Sequence, residues 1–129
     1  MMKHTILILF LFLSLLCHGQ SYKFFTTDRE LSSSLINKIY QDRNGMIWIA
    51  TEDGLNRYDG AKFITYKHDP ENEYSLCHNY VRVLYEDSKG RLFVGTYNGI
   101  QLYDPETDSF SARAQWEDGK TFDSNIMSI

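Results

Sequence analysis

The side chains of this 129-residue chain that could do chemistry fall into a few groups, and their spacing limits each one. Glu52 and Asp53 form an adjacent carboxylate pair, the raw material for acid–base cleavage of a glycosidic bond. That reaction needs carboxylates on both sides of the scissile bond, and the matching pair elsewhere in the chain, Tyr97-Asn98, has none. Cys77 beside His78 could act as a nucleophile or a metal ligand, with His68 as a further imidazole. Neither histidine has a partner four residues away or a glutamate-containing zinc motif, so no metal or cofactor is expected and Cys77 reads as a buried or loop-edge thiol. Asp42 and Asp87 could each begin a calcium loop, but the ladder of further oxygen ligands and the terminal glutamate are missing. Both fit turn capping. Trp48, Phe93, Tyr58 and Tyr103 could stack on sugar rings, yet they sit at repeated positions, where packing is the simpler role. No catalytic residue is assigned. The non-repeated residues Glu52, Tyr97, His68, His78 and Tyr80 remain as candidate ligand contacts.

What positions these residues is a repeat. Ile36 to Asp59 (INKIYQDRNGMIWIATEDGLNRYD) and Val81 to Asp104 (VRVLYEDSKGRLFVGTYNGIQLYD) are the same pattern, 45 residues apart. Identical pairs are Tyr40/Tyr85, Asp42/Asp87, Gly45/Gly90, Thr51/Thr96, Gly54/Gly99, Tyr58/Tyr103 and Asp59/Asp104. A period of this length marks a repeat architecture. Each copy reads as four short strands. The first runs to Tyr40, a tight turn covers Asp42 to Gly45, and an apolar strand covers Met46 to Thr51. Leu55 to Tyr58 and Phe63 to Tyr66 complete the set, and the second copy ends at Phe110 to Ala112. The central strands, MIWIA and LFVG, do not alternate apolar with polar residues, so both of their faces should be covered. Ala50 and Gly95 share a register position, where a small residue would let neighbouring sheets approach closely. The expected fold is therefore all-β: blades of a β-propeller, each a four-stranded antiparallel meander.

The pattern also predicts the domain organisation. Residues 1–19 read as a signal peptide, with Lys3 and His4 before an apolar run too short to span a bilayer. Residues 20–34 hold an outer strand, Tyr22 to Thr26, that resembles Lys62 to Tyr66 and would close the ring by completing the last blade. Repeat 1 covers 35–76, repeat 2 covers 77–122, and 123–129 begins a third copy that stops inside its first strand. The chain thus reads as the start of a longer protein, in which further blades would be its partners. The fragment alone is expected not to fold stably. A formal charge of −4 with scattered basic residues argues against nucleic acid and anionic membranes. With Cys17 leaving in the signal segment, Cys77 is the one remaining thiol, so packing rather than a disulfide must stabilise the fold.

Asp42, Gly45, Trp48, Thr51, Gly54, Leu55, Tyr58 and Asp59 resemble the regulator-propeller repeat of Bacteroidetes-type hybrid two-component sensors. Asp87, Gly90, Thr96, Gly99, Tyr103 and Asp104 repeat the match, with Phe93 in place of tryptophan and Ile100 in place of leucine; Ala50 replaces a glycine in the first copy. The resemblance implies a periplasmic ectodomain of an inner-membrane, homodimeric histidine kinase that senses glycan fragments and controls polysaccharide-utilisation genes. The other reading is a secreted propeller enzyme or binding module.

Overall fold

In a computed structural model of the chain, residues 2–4, 6, 19–27 and 30–111 are described. Most of the signal segment and all of the third copy lie outside them. The described chain forms eight strands: β1 (Ile36–Gln41), β2 (Ile47–Thr51), β3 (Gly54–Tyr58), β4 (Phe63–Tyr66), β5 (Val81–Glu86), β6 (Leu92–Thr96), β7 (Gly99–Asp104) and β8 (Ser109–Phe110). They build two four-stranded antiparallel sheets, each with its strands in chain order. This is the meander that the repeat predicts. β1 and β5 carry matching register shifts, between Ile36 and Lys38 and between Val81 and Val83.

The turn sequences act as expected. In the first sheet, Asp42 Oδ1 accepts the N–H groups of Asn44 (2.9 Å) and Met46 (3.0 Å), and Gly45 has φ +84°. In the second, Asp87 Oδ1 accepts those of Lys89 (3.0 Å) and Arg91 (2.9 Å). These bonds, with the Arg91 charge, hold the Asp87 carboxyl below its usual range, against the opposing effect of burial.

The two sheets pack through one core. Trp48, Ala50 and Leu55 from the first sheet meet Val81, Leu84, Leu92, Val94, Tyr103 and Phe110 from the second, with Leu76 of the connecting loop. Strand pairing places Tyr40, Trp48, Leu55, Arg57 and Tyr66 on one face of the first sheet, its trailing face. Leu84, Leu92, Val94, Tyr103 and Phe110 lie on the leading face of the second. Burying a side chain of this size contributes roughly 1.5–3 kcal/mol, so this core outweighs any single turn contact. The apolar run in β2 is explained: Trp48 and Ala50 are buried on one face, Ile49 and Thr51 on the other.

One expectation needs revision. Residues 22–26 carry no strand and are held instead by side-chain contacts with the first sheet. A Cβ on Gly95 would come within 3.0 Å of Val83 Cβ on the adjacent strand, while its register mate Ala50 is fully buried in the core between the two sheets. Phe93 lies on the trailing face of the second sheet, the counterpart of the face on which Trp48 is buried between the two sheets. The final strand ends at Phe110; Ala112, to which the sequence pattern extends it, lies outside the described residues.

Candidate functional site

The antiparallel order brings the β2–β3 turn, the β6–β7 turn and the β4–β5 crossover (residues 67–80) to one end of the sheets. A repeated set of bonds anchors this end. Thr51 Oγ1 donates to the Gly54 carbonyl (2.8 Å) and accepts the Asp53 N–H (3.1 Å); Thr96 does the same to Gly99 (3.2 Å) and Asn98 (3.2 Å). Ser32 Oγ lies 3.0 Å from the first threonine hydroxyl, and Cys77 Sγ lies 3.0 Å from the second. Cys77 is therefore the counterpart of Ser32, 45 positions on, and has a structural place. Buried Asn56 accepts the Ser32 N–H (3.1 Å), and its counterpart Gln101 accepts that of Cys77 (2.7 Å). The structural repeat thus reaches back to Ser32, upstream of Leu35.

On this scaffold the candidate residues converge, with one exception. The Tyr80 hydroxyl donates to Glu52 Oε1 at 3.3 Å, crossing the junction between the sheets. Desolvation, then the Glu52 charge, raises the Tyr80 phenol above its usual value. The Tyr80 and Tyr97 rings are tilted at 4.6 Å between centroids, and His78 meets Tyr97 edge-on at 5.7 Å. The His78 Nδ1 accepts the Tyr80 N–H (2.9 Å), which fixes the ring and leaves Nε2 as its other polar atom. Tyr97 is 46% exposed. His68 does not join them: its Nδ1 donates to the Leu76 carbonyl (2.7 Å), folding the imidazole into the crossover. The acidic pair is divided, since Asp53 is bound by Lys67 at 2.7 Å while Glu52 takes Tyr80. No group of three or more potential metal ligands occurs among the described residues.

The sequence reading misses Asn79. Its carbonyl accepts the Gly54 N–H (2.7 Å), its side chain accepts the His68 N–H (2.6 Å), and its amide lies 3.4 Å from Asp53. Nothing in the repeat marks it, because its partners belong to the preceding repeat.

The arrangement offers two aromatic faces, a carboxylate and an imidazole at the junction of two blades. These groups come from the β2–β3 turn, the β6–β7 turn and the crossover. The two-component regulator propeller family matches residues 30–53 and 75–98. The second window begins 45 residues after the first, the same offset as Ser32 and Cys77. Histidine kinase P4 of Formosa agariphila is 40% identical over 73 residues, which are 54% of this chain and 5% of that protein. Among solved structures, the extracellular domain of BT3049, described as belonging to a hybrid two component system of B. thetaiotaomicron, superposes with a TM-score of 0.66. It is 32% identical, over 80% of this chain and 15% of that one. The extracellular domain of BT4673 from the same organism has the same fold, with a TM-score of 0.62 at 24% identity over 83% of this chain and 15% of that one. The chain is a two-component regulator propeller region, like the extracellular domains of Bacteroides hybrid two-component systems, and spans a small part of the proteins it matches.

Proposed function

We propose that the chain is part of the extracytoplasmic sensor propeller of a two-component histidine kinase. In this reading the cluster of Glu52, His78, Tyr80 and Tyr97 contacts the ligand. The observation that carries it is the Tyr80–Glu52 contact, which places non-repeated residues from two blades in one exposed patch. The ligand class is an oligosaccharide. Tyrosine rings stack on the apolar faces of sugars, and a carboxylate and an imidazole can hydrogen-bond their hydroxyls. Export to the periplasm, a membrane-anchored homodimer and control of polysaccharide-utilisation genes belong to the same proposal.

The test is to express the longest form that the gene encodes and to titrate it with an oligosaccharide panel, reading kinase autophosphorylation and ligand heat. One glycan class should change autophosphorylation, and Tyr97→Ala should remove that response while leaving the melting temperature unchanged. A response that persists in Tyr97→Ala places the ligand elsewhere. A gene product with no kinase activity and no membrane segment overturns the receptor reading.

A further inference from the structure

The residues of the candidate ligand patch hang from a hydrogen-bond relay that each repeat builds just before its first strand. In the first repeat, Ser33 Oγ accepts the Leu35 N–H (3.1 Å), and the Leu35 carbonyl accepts the Glu52 N–H (3.1 Å). In the second, His78 Nδ1 accepts the Tyr80 N–H (2.9 Å), and the Tyr80 carbonyl accepts the Tyr97 N–H (3.2 Å). Ser33 and His78, Leu35 and Tyr80, and Glu52 and Tyr97 are counterparts at the 45-residue offset of the repeat. The serine relay therefore places Glu52, and the histidine relay places Tyr80 and Tyr97.

The two caps differ in one respect. A serine hydroxyl accepts a hydrogen bond at neutral and mildly acid pH alike, whereas a ring nitrogen accepts only while unprotonated, since imidazolium carries N–H on both nitrogens. Histidine is the side chain that ordinarily changes charge between about pH 5 and 8. On protonation, His78 would point an N–H at the Tyr80 N–H, and the ring would have to leave. That movement would also remove its edge contact with Tyr97, at 5.7 Å. The surrounding charges come from several elements. Glu52 of the β2–β3 turn and Arg82 of β5 both act on the Tyr80 phenol. Asp53 and Lys67 are paired with each other at 2.7 Å, and the Cys77 thiol faces Thr96. His68, the other imidazole of the crossover, donates to the Leu76 carbonyl (2.7 Å), a bond that protonation leaves intact.

We propose that His78 is a proton-sensitive cap that couples the order of the ligand patch to pH. Neutral His78 holds the backbones of Tyr80 and Tyr97 in place beside Glu52. Protonated His78 releases the Tyr80 amide, and the Tyr97 amide loosens with it, while the Ser33 relay keeps Glu52 where it was. Half of the patch is thus titratable and half is not. The significance for sensing rests on the reading of this patch as a ligand site, and on that reading the response to ligand weakens as the medium acidifies. The cap itself needs no ligand to be observed.

Amide hydrogen exchange in the longest ectodomain form that the gene encodes tests it, at the two ends of the histidine range, about pH 8 and about pH 5. Rates are corrected for the chemical exchange rate at each pH. Protection of the Tyr80 and Tyr97 amides should fall about fivefold on acidification, the scale of one net intramolecular hydrogen bond. The Leu35 and Glu52 amides, held by Ser33, should keep theirs. His78→Ser, which copies the first repeat, should make protection of Tyr80 and Tyr97 the same at both pH values. Should His78→Ser unfold the protein, seen as lost protection in β6 and β7 as well, the comparison of the two relays in the natural protein decides. An equal response of both relays to pH, or a loss at Tyr80 and Tyr97 that persists in His78→Ser, would overturn the proposal. The ligand reading fails separately: a glycan response that survives Tyr97→Ala removes it and leaves the cap standing.

Discussion

Gly54 should be the least replaceable residue of the first blade, and Gly45 provides the control. Both have positive φ, +125° and +84°, but their surroundings differ. A Cβ at Gly45 meets nothing within 4 Å, so Gly45→Ala should cost only the left-handed backbone penalty, roughly 1–2 kcal/mol. A Cβ at Gly54 would lie 2.9 Å from the Tyr66 carbonyl oxygen and 3.3 Å from both Lys67 Cγ and Ser32 Oγ. The lysine can move, but the carbonyl belongs to β4 and cannot. Its φ also lies outside the left-handed helical well. Backbone strain of roughly 1–3 kcal/mol therefore adds to overpacking of roughly 1–3 kcal/mol, and Gly54→Ala should cost about 3–4 kcal/mol on these scales. The displacement would also disturb the Gly54 N–H bond to Asn79, beside the candidate ligand patch. Urea denaturation of the longest ectodomain form, followed by circular dichroism, gives both values. Gly54→Ala costing no more than Gly45→Ala would refute the close-approach argument.

Two further predictions rest on single side chains. Trp48 donates its indole N–H to Asp42 Oδ2 (2.8 Å), whereas in the second sheet Arg91 Nε takes the matching Asp87 oxygen (2.7 Å) beside Phe93. Trp48→Phe should therefore cost about 1 kcal/mol from the lost bond, plus packing, and adding Met46→Arg should recover part of that bond's contribution in a denaturation series. Asp108 receives Tyr66, Tyr103 and Arg57; burial acts to raise its carboxyl, but these donors and the Arg57 charge together lower it. Its folded pKa lies below its unfolded one. The Asp108 contribution is thus fully present above about pH 3.9 and lost as pH falls through the folded value. Denaturation midpoints of Asp108→Asn and the natural protein should converge on acidification; a constant gap would count against the charge assignment. On the alkaline side, burial above all pushes the Tyr103 phenol up to about 12.

The sequence by itself determined the repeat and therefore the strands. Turn chemistry is local: an aspartate that caps and a glycine that accepts positive φ act within a few residues, so Asp42, Gly45, Asp87 and Gly90 were legible before any fold was known. The unbroken apolar run in β2 likewise required two covered faces. Tertiary structure decided everything that crosses between repeats. That Trp48 is buried against Tyr103 depends on which sheet lies against which face, a relation that pair identity cannot encode. Four of the five candidate ligand residues share a patch because the crossover of one blade leans on the turn of the previous one. His68, equally non-repeated in sequence, was drawn away by the Leu76 carbonyl. Asn79 and Lys23 escaped the pattern for the same reason. Their partners are Gly54 in one case and Tyr58 in the other, tens of residues distant, and only the packed sheets bring them together.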